Sequence, residues 1–279
     1  MSTLQVSWIG YPNTTGMCRI DYRISDARAD PPDCAQQYTE ALVRLPETFL
    51  CYTPAANVPA PSPPPLLQCA VITFGSFNNL AKMDDSVIDL WCEVLCSVPN
   101  SRLIVKNKPF ACKRVQDQFT ARFVRRGISD SRIDLMHLLP VTSDHLSAYS
   151  LIDISLDTFP YAGTTTTCEA LYMGVPVVTL RGHSHAHNVG SSLLSVIGLG
   201  ELVASSTQEY VQIAVELSRD APRLQALRSS LRQRMLASPL CDGPLLIGHL
   251  EDAYRDMWQK WVRKGARSET NDAAVAEGD

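Results

Sequence analysis

Between Leu156 and Thr179 the chain reads LDTFPYAGTTTTCEALYMGVPVVT, an apolar strand, a turn of small residues and a helix that carries an acid. That order suits a nucleotide diphosphate. With the helix starting within Thr164 to Thr167, the turn Tyr161-Ala162-Gly163 falls at the carboxyl end of the strand. Gly163 admits close approach of backbone to ligand, and the first helical N–H groups lack intrahelical partners, so they can point at phosphate oxygens with the helix dipole behind them. Thr164, Thr165, Thr166 and Thr167 add hydroxyl donors at the same place. Glu169 falls in the first turns of the helix, where its carboxylate could accept two hydrogen bonds from a ribose diol. The bland alternative is a threonine-rich N-cap whose Glu169 merely complements the dipole. Lys82 ends the stretch Phe77-Asn78-Asn79-Leu80-Ala81-Lys82, just past another strand, where an ammonium can neutralise the charge of a departing nucleoside diphosphate. Asn79 in that stretch is a candidate contact to diphosphate or sugar. His183, His185 and His187 alternate after a strand, but no carboxylate or cysteine pattern completes a zinc site, so no metal is expected.

These residues need a scaffold that brings strand ends together. Val6 to Trp8 and Asp21 to Ser25 read as short strands and Gln36 to Arg44 as a helix. Pro54 to Pro65 then holds six prolines in twelve residues, a composition that excludes a helix or a central strand and suits an extended linker. Beyond it, strands expected at Val71–Phe74, Arg102–Lys106, Ile133–Leu138, Ile152–Leu156 and Val175–Leu180 alternate with helices at Ser86–Ser97, Val115–Arg126, Ser143–Ser150 and Thr165–Met173. Helices at Gln208–Ser218, Pro222–Ala237 and Leu246–Val262 follow. Such alternation predicts a parallel sheet covered on both faces, with ligands outside the carboxyl ends of its strands. The expected organisation is 1–53, a linker over 54–67, an α/β domain over 68–240, a helical segment over 241–264 and a disordered tail over 265–279.

The chain has 279 residues, 45% of them hydrophobic, and a formal net charge of −4, which suits a globular core and gives no nucleic-acid footprint. No stretch approaches the ~20 apolar residues that span a bilayer, and no signal peptide is visible, so no membrane partner is expected. Nine cysteines without CxxC spacing favour reduced thiols of cytosol or nucleus.

Three blocks carry a resemblance: WIGYPNTTG at Trp8–Gly16, FGSFNNLAK at Phe74–Lys82 and DISLDTFPYAGTTTTCEALYMGVP at Asp153–Pro176. Together they resemble the catalytic region of the protein O-GlcNAc transferase family, in its plant-type SPINDLY branch, over about Val6 to Lys264. The resemblance implies an α/β fold of the two-Rossmann-domain GT-B glycosyltransferase type. The chain would hold the C-terminal Rossmann-like domain and, in its first 53 residues, a remnant of the N-terminal catalytic domain. The tetratricopeptide repeats of longer members would be missing, as no 34-residue period occurs here.

The implied activity is inverting, metal-independent transfer of sugar from a nucleotide-sugar, GDP-fucose or UDP-GlcNAc, to serine or threonine hydroxyls of nuclear and cytosolic proteins. The partners are then that donor and the acceptor proteins, with no cofactor. By the same resemblance Lys82 contacts the donor diphosphate, His145 stacks on the base, His187 and Asn188 border the donor, and Pro12, Asn13 and Thr14 face the cleft at sugar or acceptor. Thr164, Glu169 and Ala148 stand where animal members carry histidine, aspartate and arginine, and these departures agree with a branch understood to use GDP-fucose. The alternative is a truncated, inactive nucleotide-sugar-binding module or scaffold.

Overall fold

The computed structural model describes residues 4–32, 36–56 and 58–276, with side chains through Arg263. Cys34, Asn57 of the linker and the last three residues of the expected tail lie outside the described residues. A three-stranded parallel sheet opens the chain, with β1 (Val6–Ser7), β2 (Tyr22–Asp26) and β3 (Ala41–Leu45) in that spatial order. Gln36–Arg44 is therefore not a helix. Ala41 to Leu45 completes a hydrogen-bonded ladder beside β2, from Tyr22↔Ala41 to Asp26↔Leu45, and that tertiary pairing overrides a modest helical preference.

Among the described residues, the proline-rich stretch runs without strand or helix to a single turn, α1 (Leu66–Cys69), which enters the second unit. This unit holds β4 (Ile72–Ser76), α2 (Asp85–Ser97), β5 (Ser101–Lys106), α3 (Lys113–Val124), β6 (Ile133–Met136), α4 (Thr142–Ser147), β7 (Ile154–Leu156), α5 (Thr165–Tyr172) and β8 (Val177–Leu180). It continues with α6 (His185–Val196), β9 (Val203–Ala204), α7 (Thr207–Arg219) and α8 (Ala221–Leu236). The apolar runs become strands buried on both faces, as expected of a parallel sheet between helices. All six strands are parallel, in the order β6-β5-β4-β7-β8-β9. Counted from the first strand of the unit, this is the doubly wound order 3-2-1-4-5-6 of dinucleotide-binding sheets, whose winding reverses between β4 and β7 and opens a crevice there.

Buried groups lock this core. Arg228 on α8 donates to the carbonyls of Ile152 at 2.5 Å, Tyr149 at 3.3 Å and Met173 at 3.4 Å. Asp153, at the start of β7, accepts from the N–H groups of Leu66 at 3.0 Å and Thr73 at 2.9 Å, which pins the end of the linker to the sheet.

The last helix, α9 (Gly243–Ala276), returns to the first sheet: Leu246, Leu250 and Met257 are buried with Ile24 of β2 and Leu45 of β3. The helical segment is thus part of the first unit, and it extends through most of the stretch expected to be a disordered tail. Arg267, Glu269 and the alanines at 273, 274 and 276 are residues with good helix propensity, which outweighed the polar composition behind that expectation. Met257 is 0% exposed. Met257→Ala is expected to cost about 2–5 kcal/mol, read as a lower urea midpoint.

Candidate functional site

The crevice at the β4/β7 switch point gathers the residues singled out in the sequence. After β4 the chain makes a 3-10 turn over Leu80–Lys82, capped by the Asn79 side chain, which accepts from the Ala81 N–H at 3.0 Å. Lys82 is carried across the crevice by this turn. Its Nζ donates to the Ala162 carbonyl at 2.8 Å and lies 3.7 Å from the centre of the Tyr161 ring. Asn79, Lys82, Phe159, Pro160 and Tyr161 line a cavity of about 390 Å³. Burial pushes the Lys82 ammonium below its ordinary pKa, and the nearby Asp157 carboxylate works against that shift.

On the β7 side, Asp157 directs the turn. Its carboxylate is buried and accepts from the N–H groups of Thr158 at 2.9 Å and Gly163 at 2.7 Å, from Asn78 Nδ2 at 3.1 Å and from Thr179 Oγ1 at 2.8 Å. Burial raises its pKa, while the Gly163, Thr179 and Thr158 donors and Lys82 oppose that shift. A Cβ on Gly163 would lie 2.6 Å from Thr167 Oγ1, 2.7 Å from Thr166 Oγ1 and 2.9 Å from Asn78 Oδ1. Glycine at 163 therefore lets the turn pack against the start of α5, in addition to the freedom read from the sequence.

Of the four threonines, Thr164 is the N-cap residue of α5 without a side-chain cap bond, and Thr165 is exposed at the helix start. Thr166 Oγ1 donates to Asn78 Oδ1 at 2.8 Å, and Thr167 is buried. Thr166 and Thr167 thus pack within the turn, while Thr165 is exposed and Thr164 half-buried at the helix start.

Glu169 and His145 meet directly, with His145 Nε2 2.9 Å from Glu169 Oε2. The Tyr149 hydroxyl lies 3.3 Å from the same oxygen and 3.2 Å from the Thr166 carbonyl, which share its one proton. Behind them Lys106, 2% exposed, bonds His145 through both the ring Nδ1 and the carbonyl. Lys106 is thus buried under the site.

The three histidines separate because His185 and His187 begin a helix that the sequence reading missed, while His183 precedes it. The starting residues of α6 and the small Gly190, Ser191 and Ser192 are weak helix formers, and the helix exists through packing. His185 is buried, with Nδ1 2.7 Å from Asp30 Oδ2. His187 stacks on Phe159 with ring centroids 6.2 Å apart, and burial lowers its pKa. Among the described residues no cluster of three or more His, Cys, Asp or Glu side chains is arranged to hold a metal. Asn188 joins the two units, accepting from the Gly182 N–H at 2.9 Å and donating to the Ala29 carbonyl at 3.3 Å, so its amide is engaged in the structure rather than pointing free into the crevice.

Pro12, Asn13 and Thr14 lie in the loop after β1, apart from Lys82 and Glu169, with which the loop makes no hydrogen bond among the described residues. Glu40 ties this loop down, accepting from Thr14 Oγ1 at 2.7 Å and from the Thr15 N–H at 2.7 Å. Asn13 accepts from the Gln36 amide, whose Oε1 takes the His185 N–H at 2.8 Å, so the loop is connected to the start of α6. Asp157, Asn78, Asp30 and Gln36 were missed as organising residues. Asp157 follows an apolar strand directly and was open to notice on that ground; the other three act through contacts distant in sequence.

A doubly wound sheet with a lysine and a helix N-terminus facing each other at its switch point, beside a second parallel-sheet unit, is the arrangement of the GT-B fold class. The family model for glycosyl transferase family 41 matches residues 1–55 and 66–246, and the chain belongs to that family. It is 55% identical over 260 residues to the Arabidopsis thaliana protein described as a probable UDP-N-acetylglucosamine–peptide N-acetylglucosaminyltransferase SPINDLY, covering 93% of this chain and 28% of that protein. The rice counterpart is 56% identical, with 92% and 28% covered. The chain thus spans a little over a quarter of the length of these relatives. Among solved structures it is similar to the O-GlcNAc transferase of Thermobaculum terrenum, with a TM-score of 0.87 and 37% identity over 94% of this chain and 49% of that one.

Two outcomes test this geometry. Asp157→Asn, which turns an acceptor for four donors into an amide, is expected to lower stability by about 1–3 kcal/mol, read from the urea midpoint at unchanged m-value. Burial works to raise the Glu40 pKa, but hydrogen bonds from Thr15 and Thr14 hold it down at about 2. A depressed carboxylate stabilises the fold above its unfolded pKa and loses that effect as pH falls. The stability gap between wild type and Glu40→Gln, measured by urea unfolding, is therefore expected to be full at pH 7 and to shrink from about pH 4.5 toward pH 2.

Proposed function

We propose that the chain carries the donor-binding half of a protein O-glycosyltransferase. It would transfer a sugar with inversion, and without a metal, from GDP-fucose or UDP-GlcNAc to serine or threonine hydroxyls of nuclear and cytosolic proteins. The observation that carries the reading is the placing of the Lys82 ammonium and the amino end of α5 on opposite sides of one turn, at the switch point of the sheet. Both are positive, and both are held in place before any ligand arrives, which is the arrangement that stabilises charge on a departing diphosphate. Lys82 would exchange the Ala162 carbonyl for diphosphate oxygens. Thr164 and Thr165 would add donors, Glu169 would take the ribose diol and His145 the base.

The names of the Arabidopsis and rice relatives favour UDP-GlcNAc, whereas Thr164, Glu169 and Ala148 favour a pocket for guanine.

Calorimetric titration with GDP-fucose, UDP-GlcNAc, GDP, UDP and the two free nucleosides separates these outcomes. Lys82→Ala is expected to weaken the diphosphates by about ten- to a hundredfold and to leave nucleoside binding unchanged. Equal loss for nucleoside and diphosphate would remove Lys82 from the phosphate site, and binding of none by the folded wild type would overturn the reading.

A further inference from the structure

We propose that Lys106 is a positioning residue of the nucleotide site, fixing the tautomer and ring plane of His145 and, through that ring, the rotamer of Glu169. The inference rests on the crevice being the nucleotide-sugar site, but its central claim concerns the free protein. Lys106 ends β5 beneath the crevice, its Nζ 4.2 Å from the centre of the Phe77 ring and 5.8 Å from that of Tyr149. A lysine this buried needs partners that offset its desolvation. Besides those two rings, its hydrogen-bond partners are both on His145: the carbonyl oxygen at 3.1 Å and ring Nδ1.

An ammonium only donates, so Nδ1 must present its lone pair, and a neutral imidazole then carries its proton on Nε2. That proton points at Glu169 Oε2, 2.9 Å away. The Tyr149 hydroxyl, its pKa raised well above the ordinary value by burial first and then by Glu169, stays protonated; it lies 3.2 Å from the Thr166 carbonyl and 3.3 Å from the same carboxylate oxygen, so its one proton is shared between them. The imidazole N–H is thus the principal donor to Oε2, while Oε1 accepts no protein hydrogen bond among the described residues. Glu169 keeps one oxygen for holding itself and one for a diol. Without Lys106 the imidazole could place its proton on Nδ1 and turn a lone pair toward the carboxylate, which would repel it.

The groups facing Lys106 are His145 on α4, Tyr149 in the turn after it, Glu169 on α5 and Phe77 after β4. Burial pushes the lysine down to about 8 against the pull of Glu169. Its pKa is lowered, so below about pH 8 it is an ammonium that can only donate, and above that an amine that can also accept from Nδ1–H, which loosens the tautomer.

The test uses the full chain labelled with nitrogen-15, recording the two ring nitrogens of His145 by long-range proton–nitrogen spectra without ligand. Wild type is expected to give a single Nε2–H tautomer at pH 7 that begins to average as pH rises through about 8. Lys106→Met is expected to abolish the preference, and Lys106→Gln, whose amide can still donate to Nδ1, to keep most of it. GDP and UDP titrations of the same proteins are expected to show about tenfold weaker binding for Lys106→Met and less than about threefold for Lys106→Gln.

An unchanged tautomer in a folded Lys106→Met protein overturns the proposal, as does equal weakening by Met and Gln, which would assign the lysine a role of charge alone. Should the Met variant fail to fold, the wild-type pH series decides: a tautomer that persists unaltered well above pH 8 is the negative result. If neither nucleotide binds wild type but the tautomer follows Lys106 as described, the relay stands and the functional reading falls.

Discussion

The Asp157 carboxylate is the point from which the crevice is built. It closes strand β7, and its two oxygens reach the turn that leads to α5, the asparagine that follows β4 and the threonine on β8. Even α6 is fitted around it, since a Cβ on Gly190 would come within 2.7 Å of Asp157 Oδ2. Four donors on one buried acid leave little choice of arrangement, because each would be costly to strand without a partner in so dry a place. The position of Gly163, and through it the amino end of α5, follows from that requirement. Lys82 then meets the turn from the other side.

What the sequence made legible was whatever repeats locally. Six of the second unit's helices and five of its strands lie where periodicity and turn residues put them, because each of those segments announces its own state. Lys82, Glu169 and the threonine run were open to the same kind of reading, each sitting next to a strand end or a helix start. The elements that escaped depend on partners far along the chain. β3 is a strand because β2 lies beside it, and α6 is a helix because Asp157, Thr179 and Asp30 receive it. The role of Lys106 was hidden for the same reason: 39 residues separate it from His145, and nothing near it in the sequence indicates that it faces a ring.

The two units are joined by a shared apolar core, which takes in Ala29, Phe49 and Leu50, and by a set of polar contacts. Asp30 receives His185, Asp26 receives Ser192 at 2.6 Å and Ala29 receives Asn188, all three between the end of the first sheet and one helix of the second unit. Ser25 lies 3.3 Å from the same imidazole and Phe49 packs edge-on against it. His185 is thus shared by both units while His187, two residues on, turns toward Phe159 of the crevice, so the first turn of one helix serves joint and site.

The return of α9 to the first sheet bears on how the chain acquires its structure during synthesis. Leu45 and Leu246 belong to one apolar cluster yet stand about two hundred residues apart in sequence. At the usual pace of a ribosome, about 5–20 residues per second, the opening strands wait some ten to forty seconds for the helix that covers them. The six-stranded unit, whose neighbouring strands are mostly close in sequence, has its parts available first. The opening strands would then be the last to be sheltered, and for that interval a parallel ladder with an uncovered apolar face is the part of the nascent chain most in need of a chaperone.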